Sequence, residues 1–311
     1  MTSDQRDNPE LNQAVRDFLS LPAAAREPHR LGKGKLHHVY RLKHADTSYV
    51  IKVRGRDGLR VQLRNWWKGI RHYAVTGEIT RMRLSSVTDR WKNEVMTAVG
   101  WMQLGLPTIV FVPFPDEDVR VQFDVGFGTL AEHLRDPAHD RKFKLYSLME
   151  VAGIMFARHT IIAASGNPHL FHEEPHSANL LYRPGELIYV DQEFLPDETK
   201  PDMHHAACEL IALTQSVIRD LDYEDPEEVV AAIAHGYPDP QTLETVSRLL
   251  DVRRPRWRWP YSARAPVNTE ELAVMFREHT TPEARMRPGS RPVPLGMPGD
   301  LQERPGSNPL G

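Results

Sequence analysis

Cysteine is almost absent from this chain of 311 residues, in which Cys208 is the only one. A single thiol cannot form an internal disulfide, so we expect a fold stabilised by its core in a reducing compartment. Long apolar runs are also missing, since no stretch reaches the roughly 18 apolar residues that predict a membrane-spanning helix. The first residues, MTSDQRDNPELNQ, lack the apolar core of a signal peptide. These absences together predict a cytoplasmic protein.

A strong overall charge is missing as well. The formal net charge is −3, with 26% charged and 40% hydrophobic residues, which is ordinary for a globular chain. Positive charge is nevertheless concentrated locally, because the stretch from Lys52 to Lys92 holds eleven Lys or Arg and three Asp or Glu. The composition therefore predicts no strong preference for nucleic acid, but it marks one basic region.

The five residues His172-Glu173-Glu174-Pro175-His176 spell the H-E-x-x-H signature of zinc proteases. That signature requires a helix, because only a helix brings histidines four residues apart onto one side of a metal ion. Pro175 opposes a helix, since an interior proline costs roughly 3 kcal/mol and drives the preceding residue out of the helical region. We therefore expect an extended loop here. An ordinary surface loop and a loop with different chemistry both stay open.

The order of predicted elements divides the chain into two parts. After a polar lead-in over residues 1–29, residues 30–125 have the pattern of strands with one helix, interrupted by a basic insert over residues 55–90. Residues 126–280 have a mostly helical pattern, and residues 281–311 form a tail rich in Pro, Gly and Arg that we expect to be disordered. The predicted fold class is α+β, with a β-rich part before a helical part.

Hydrophobic periodicity and turn signals predict the individual elements. Strands are expected at residues 48–53, 108–112 and 119–125, and a hairpin is expected to turn at residues 183–186. Helices are expected around residues 95–106 and at residues 129–136, 144–164, 203–221, 227–235, 241–250 and 269–278. Thr129 is the expected N-cap of its helix.

Three features of the β-rich part are suited to phosphate binding. Gly32 and Gly34 lie at a strand turn before Val39, and glycines let backbone amides approach a phosphate closely. Lys52, on the next strand, could hold phosphate oxygens as a point charge, and Glu94, on the following helix, could pair with it. Taken singly, each feature has a plainer interpretation: a glycine hairpin, a solvent-facing lysine and a helix-surface glutamate.

A fourth feature lies in the loop around Pro175. Asn179 follows Glu174 by five residues, and Asp191 directly follows the apolar strand LIYV. An amide oxygen and a carboxylate from neighbouring strands are hard ligands that suit Mg²⁺ bound together with phosphate. A carboxylate upstream of the asparagine, such as Glu174, could accept the proton of a hydroxyl group.

In this order the four features resemble the protein-kinase-like superfamily. The loop His-x-x-Pro-His-x-x-Asn is more similar to the H-G-D-x-H-x-x-N loop of small-molecule and lipid-sugar kinases than to the loop of protein kinases. The segment TDRWKNEVMTAVGWMQLGLPTIVFVPF resembles the bacterial lipopolysaccharide kinase group, which phosphorylates sugars of the lipopolysaccharide core, and aminoglycoside-type phosphotransferases are near neighbours. The resemblance covers roughly residues 30–250.

The resemblance implies a two-lobed α+β fold that binds ATP. By position, Lys52 would hold the α- and β-phosphates and Glu94 would orient Lys52. The glycine loop from Gly32 to Gly34, with Val39 behind it, would cover the phosphates. Backbone groups of residues 122–126 would meet the adenine. The implied reaction is transfer of the γ-phosphate to a hydroxyl group of a sugar, a lipid-linked sugar or another small molecule.

The resemblance also implies a Mg²⁺ site and a catalytic base. Asn179 and Asp191 would hold Mg²⁺, while Glu174 stands where the family has its catalytic aspartate, so the predicted catalytic set is Glu174, Lys52 and Glu94. A longer side chain at this position puts catalysis in doubt, because a displacement near 1 Å can cost on the order of 100-fold in rate. The alternative function is therefore a pseudokinase that binds nucleotide and acts as a scaffold or regulator.

Smaller departures and signals complete the interpretation. Gln192 follows Asp191 where the family usually has an aromatic residue, and His37 replaces the third glycine of the loop. The basic and aromatic stretch RNWWKGIRHY, residues 64–73, could contact an anionic membrane surface, an acidic partner or nucleic acid, although packing within the insert is favoured. His204, His205 and Cys208 lack a fourth ligand at zinc spacing, so we expect a core cysteine with surface histidines.

Overall fold

The computed structural model describes residues 8–31, 37–55, 87–172, 175–192, 196, 198–221, 225–251 and 269–280. The helices are α1 (Pro9–Ser20), α2 (Ala23–Arg26), α3 (Val87–Gln103), α4 (Leu130–Arg135), α5 (Arg141–Ser165), α6 (Asp202–Asp220), α7 (Pro226–Gly236), α8 (Pro240–Leu250) and α9 (Thr269–Glu278). The strands are β1 (His37–His44), β2 (Thr47–Arg54), β3 (Phe111–Val112), β4 (Val119–Phe123), β5 (Gly128–Thr129), β6 (Leu180–Arg183) and β7 (Glu186–Tyr189). Short 3₁₀ turns cover Glu27–His29, Pro168–Leu170 and Ser177–Asn179.

Strands β1 to β4 form an antiparallel sheet in the order β1-β2-β4-β3. Because side chains alternate along a strand, neighbouring residues of β2 face opposite sides of the sheet. Ile51 belongs to a core cluster shared with α1, whose buried residues are Leu11, Val15 and Phe18. Lys52 is next to Ile51 in the strand and therefore faces the other side, where α3 lies.

The lead-in contains a packed helix. Asn8 caps α1 by accepting a hydrogen bond from the Leu11 amide at 2.9 Å, and Pro9 occupies the first turn, where a missing N–H does no harm. The helix presents an apolar face to β1 and β2. The short apolar segment seen in the lead-in sequence is therefore part of the core beneath the sheet.

Helix α3 connects the sheet to the helical part. Near its end, the Trp101 indole N–H donates to the Leu170 carbonyl at 2.7 Å, and the ring is 1% exposed. The Arg158 guanidinium of α5 contacts the rings of both Trp101 and Tyr189, 4.1 Å from each ring centroid. Cations are attracted to aromatic faces, so these contacts fix the end of α3 against α5 and β7.

The helical part contains a large core cluster, to which α4 to α9, the hairpin β6–β7 and Trp101 of α3 contribute. The short strand β5 pairs with β6 at the edge of this hairpin. Helix α5 is long and apolar enough to cross a membrane by length and composition alone. Its buried face includes Leu148, Val151, Met155 and Ile162, which belong to that same core. A core helix of a globular protein meets the same criterion, and α5 is such a core helix here.

The predicted α+β class is confirmed, with small antiparallel sheets and many helices. The predicted helices from residue 129 onward lie within three residues of the observed bounds, and Thr129 caps α4 in a capping box with Glu132. The strand predicted at residues 108–112 is shorter, because only Phe111 and Val112 pair with β4. Predictions for Gly32, Gly34, the insert beyond Gly55 and the tail lie outside the described residues.

Candidate functional site

The structure brings Lys52, Glu94 and Asp191 together. The Lys52 ammonium group lies 3.1 and 3.2 Å from the two carboxylate oxygens of Glu94, and it also pairs with the Asp191 carboxylate. The side chains of Lys52 and Glu94 are 6% and 4% exposed, whereas that of Asp191 is 51% exposed. The plainer interpretations of Lys52 as a solvent-facing lysine and Glu94 as a surface glutamate are therefore wrong.

Asp191 is presented by an unusual backbone turn. Strand β7 ends at Tyr189, and Asp191 has a φ of 63°, in the left-handed region that few residues other than glycine adopt. Such conformations cluster at functional sites, where surrounding contacts hold them in place. Lys52 lowers the pKa of Asp191, and His37 and His172 act in the same direction as Lys52. Asp191 is therefore an anion at neutral pH.

The side chains of His172 and Gln192 hold the backbone on either side of Asp191. The His172 imidazole donates from Nε2 to the carbonyl of Val190 at 2.9 Å. The Gln192 amide donates from Nε2 to the carbonyl of Phe171 at 2.7 Å, and its side chain is buried. These two hydrogen bonds fasten the chain around Asp191 to the start of the loop. Gln192, which looked like a departure from the kinase pattern, has a structural role of its own.

Asn179 lies at the same end of the β6–β7 hairpin as Asp191. It closes the 3₁₀ turn Ser177–Asn179, and its carbonyl accepts a hydrogen bond from the Val190 amide at 3.0 Å. The next pair in the ladder is Leu180 with Tyr189. Asn179 and Asp191 therefore lie at the same end of neighbouring segments, and their role as metal ligands stays a prediction.

Glu209 of α6 stabilises the start of the loop at His172. Its carboxylate accepts hydrogen bonds from the His172 backbone amide and from His159 Nε2, the latter at 2.9 Å, and His159 Nδ1 is hydrogen-bonded to the Tyr237 hydroxyl at 2.9 Å. Burial acts to raise the pKa of Glu209, but His159 and the hydrogen bonds outweigh it, so the pKa is lowered. The carboxylate is an anion within the core.

The loop has a second support at Ser177. Its backbone amide donates to Ser216 Oγ at 2.9 Å, and its hydroxyl donates to the buried Asp220 carboxylate. Arg135 pairs with the same carboxylate. Asp220 and Arg135 also line a pocket of about 210 Å³ with Arg141 and Lys144, and none of the predicted site residues lines that pocket.

The zinc-protease interpretation fails on its geometric requirement. His172 and His176 lie outside any helix, and Pro175 lies between them, as expected. In the part of the chain that the structure describes, no group of three or more His, Cys, Asp or Glu side chains could hold a metal ion.

The prediction of a core cysteine with surface histidines is wrong in two respects. His205 is buried, and Cys208 is only half-buried on α6.

Of the remaining predicted site residues, Val39 pairs directly with Lys52 across β1 and β2. Residues 122–126 begin with the last two residues of β4, which pair with β2, and continue into the segment after the strand. Gly126 has a φ of 72°, which a glycine adopts without strain. Gly32, Gly34 and Glu174 lie outside the described residues. The phosphate-covering loop and the catalytic base therefore stay predictions.

Sequence reasoning missed Arg120. This residue pairs with Lys52 across β2 and β4, is 8% exposed, and donates to Glu94 Oε2 at 2.7 Å. Its guanidinium lies 3.8 Å from the centroid of the Trp91 ring. The register that sets Arg120 opposite Lys52 is not visible in the sequence alone.

No protein-family model matches the chain, and no curated protein matches its sequence.

Proposed function

We propose that the chain is a kinase-like phosphotransferase that moves the γ-phosphate of ATP to a hydroxyl group. One observation carries this proposal: the Lys52 ammonium group contacts both Glu94 and Asp191, which lie 42 and 139 residues away in the sequence. Kinase-type phosphoryl transfer relies on a strand lysine, a helix carboxylate that orients it and a metal-binding aspartate. The convergence of these three residue types favours that reaction over the zinc-hydrolase interpretation.

In this proposal the β-rich part is one lobe and the helical part is the other, with the nucleotide between them. A cluster of apolar side chains supports this arrangement. Ala98, Ile109 and Ile188 form its buried centre, and Val125 and Leu181 are among the half-buried residues that pack on it. Both parts of the chain contribute residues to this cluster, which lies beside residues 122–126 and offers an apolar surface for packing of an adenine ring.

The residues present fit a Mg²⁺ ion. Asp191 is an anion, and Asn179 offers a second hard oxygen donor at the same end of the hairpin, which is the ligand type that Mg²⁺ takes together with substrate phosphates. Magnesium, when bound, would neutralise charge on the phosphate oxygens. Asp191 would then exchange its contact with Lys52 for the ion, which leaves the ammonium group of Lys52 to the phosphates.

Glu174 is the proposed base, because it occupies the position of the family's aspartate in the sequence. The pseudokinase alternative rests on the same residue, since a longer side chain there can misplace the carboxylate. Replacing Glu174 with Asp separates the two functions. A weakened kinase should hydrolyse or transfer phosphate from Mg-ATP faster in this variant, whereas a scaffold should bind Mg-ATP without turnover in both proteins.

Substitution of Lys52 tests the proposal. Lys52→Ala should reduce phosphate release from Mg-ATP by at least about 100-fold, because the phosphates lose their positioning charge. The matched control is Lys43→Ala, which removes an exposed lysine from the same hairpin. The proposal fails if Lys52→Ala, with an unchanged circular dichroism spectrum, turns over Mg-ATP as fast as Lys43→Ala.

The acceptor follows from the resemblance alone: a sugar, a lipid-linked sugar or another small molecule with a hydroxyl group. A lipid-linked acceptor would suit a protein that also touches an anionic membrane surface through residues 64–73. Those residues lie outside the described part of the chain. A screen of phosphate transfer from labelled ATP to soluble sugars and to sugars presented on anionic vesicles would choose between the acceptor classes.

A further inference from the structure

The Glu94 carboxylate is paired with two cations rather than one. Two cations, Lys52 and Arg120, face this one carboxylate, and all three side chains are less than 10% exposed. Lys52 and Arg120 are partners in the β2–β4 ladder, so their positive charges stand side by side. Like charges directly opposite each other destabilise a sheet unless an anion lies between them. Glu94 is that anion.

The contact distances show which of the two cations Glu94 binds more closely. Arg120 makes the shorter contact, 2.7 Å to Oε2, whereas Lys52 is 3.1 and 3.2 Å from the two carboxylate oxygens and also pairs with Asp191. Arg120 is further held by the Trp91 ring, 3.8 Å from its guanidinium carbon, and Trp91 donates from its indole N–H to the Glu117 carbonyl at 2.8 Å. Arg120 is therefore the fixed partner of Glu94.

We propose that Arg120 is a positioning residue that keeps Glu94 paired and in place when Lys52 turns to an anionic ligand. The inference rests on the proposed function, since it names Lys52 as the group that meets the phosphates. A buried carboxylate with one cation would hold that cation tightly, because separating them leaves an uncompensated buried charge. With Arg120 present, Glu94 stays compensated after Lys52 leaves it.

The second cation also changes the charge that a phosphate meets. Lys52 and Glu94 alone are neutral together, but Lys52, Glu94 and Arg120 have a net charge of +1. Asp191 balances this charge in the protein without ligand. Once Asp191 is occupied by a cation, the site has a surplus positive charge for a polyphosphate. Arg120 thus favours ligands with phosphates over the corresponding nucleoside.

The first test is a double-mutant cycle that needs no nucleotide. Glu94→Gln in the wild-type background leaves Lys52 and Arg120 facing each other without their anion, so the urea midpoint should fall. In the Arg120→Met background, the same substitution should lower the midpoint less, because one of the two cations is gone. Equal losses in the two backgrounds would show that Arg120 acts only by packing on Trp91, and would overturn the inference.

The second test compares Mg-ATP with adenosine on the full chain by calorimetry. Arg120→Met should weaken Mg-ATP binding about ten- to thirtyfold, the effect of one charge in a partly buried site, while adenosine binding should change less than about twofold. Arg120→Lys should restore most of the Mg-ATP affinity, and Lys43→Met is the control for loss of an exposed charge from the same sheet.

The outcomes separate this inference from the proposed function. Equal weakening of Mg-ATP and adenosine, or no weakening of either, would contradict a positioning role for Arg120. Wild-type protein that binds no Mg-ATP would contradict the proposed function instead. The inference would then be decided by the double-mutant cycle, which reports the sharing of Glu94 without any ligand.

Discussion

At the scale of single residues, the site is a set of charges that the core holds in place. Glu209 is the clearest case, because it is 1% exposed and still an anion. It is compensated by hydrogen bonds from His159 and from the His172 backbone amide, which satisfies the general requirement that buried charges be paired. Through His172, this carboxylate supports the backbone that presents Asp191.

The lowered pKa of Glu209 predicts a pH-dependent effect of Glu209→Gln. A carboxylate whose pKa is lower in the folded state stabilises the protein above its unfolded pKa of about 4.3, and this contribution disappears as pH falls. We expect the variant to be less stable than wild type by roughly 3 kcal/mol at pH 7, the usual cost of breaking a buried pair. The difference should shrink below about pH 4.3.

Urea denaturation of both proteins at pH 7 and at about pH 3, well below the unfolded pKa, measures this difference. The control is Glu278→Gln, which removes an exposed carboxylate at the end of α9 and should leave stability within about 0.5 kcal/mol of wild type. A loss for Glu209→Gln that is equally large at both pH values would mean that Glu209 contributes shape rather than charge.

At the scale of elements, the helical part depends on a close crossing of α5 and α7. Gly153 and Gly236 lie at this crossing, where the two backbones approach each other. A Cβ atom on Gly236 would overlap the carbonyl oxygen of Met149, which is backbone and cannot rotate away. A Cβ atom on Gly153 would lie 3.5 Å from the Gly236 carbonyl oxygen, an ordinary contact distance.

These two glycines give a matched pair of substitutions. Gly236→Ala should destabilise the protein by about 3 kcal/mol or more, because the helices must move apart to admit the methyl group. Gly153→Ala should be neutral or slightly stabilising, because alanine has the higher helix propensity. Thermal unfolding followed by circular dichroism compares the two. Similar midpoints for both variants would show that α5 and α7 have freedom to separate.

Elements were largely predictable because they depend on local signals. The strand over residues 48–53, the N-cap Thr129 and the bounds of α9 follow from periodicity, turn residues and caps. Register was not predictable, because it depends on which strands pair. Arg120 shows the consequence: the sequence predicted a strand at this position but no role for the arginine, and pairing with β2 sets it beside Lys52 and Glu94.

At the scale of the whole molecule, the sequence predicted that Glu94 pairs with Lys52, and the structure shows this contact. The contact of Lys52 with Asp191, from the end of a distant hairpin, was not predicted. The supports beneath them were not predicted. Glu209 lies on α6, His159 lies on α5 and Tyr237 directly follows α7, and no motif joins them, so only the packing of these helices reveals their network.

The most direct test of a nucleotide site is calorimetric titration of the full chain with ATP, with and without Mg²⁺. The proposed function predicts that binding requires Mg²⁺ and is lost in Asp191→Ala, while Asp46→Ala, an exposed aspartate in the β1–β2 turn, binds like wild type. Wild-type protein without Mg-ATP binding, or an Asp191→Ala protein that binds Mg-ATP as tightly as wild type, would contradict it.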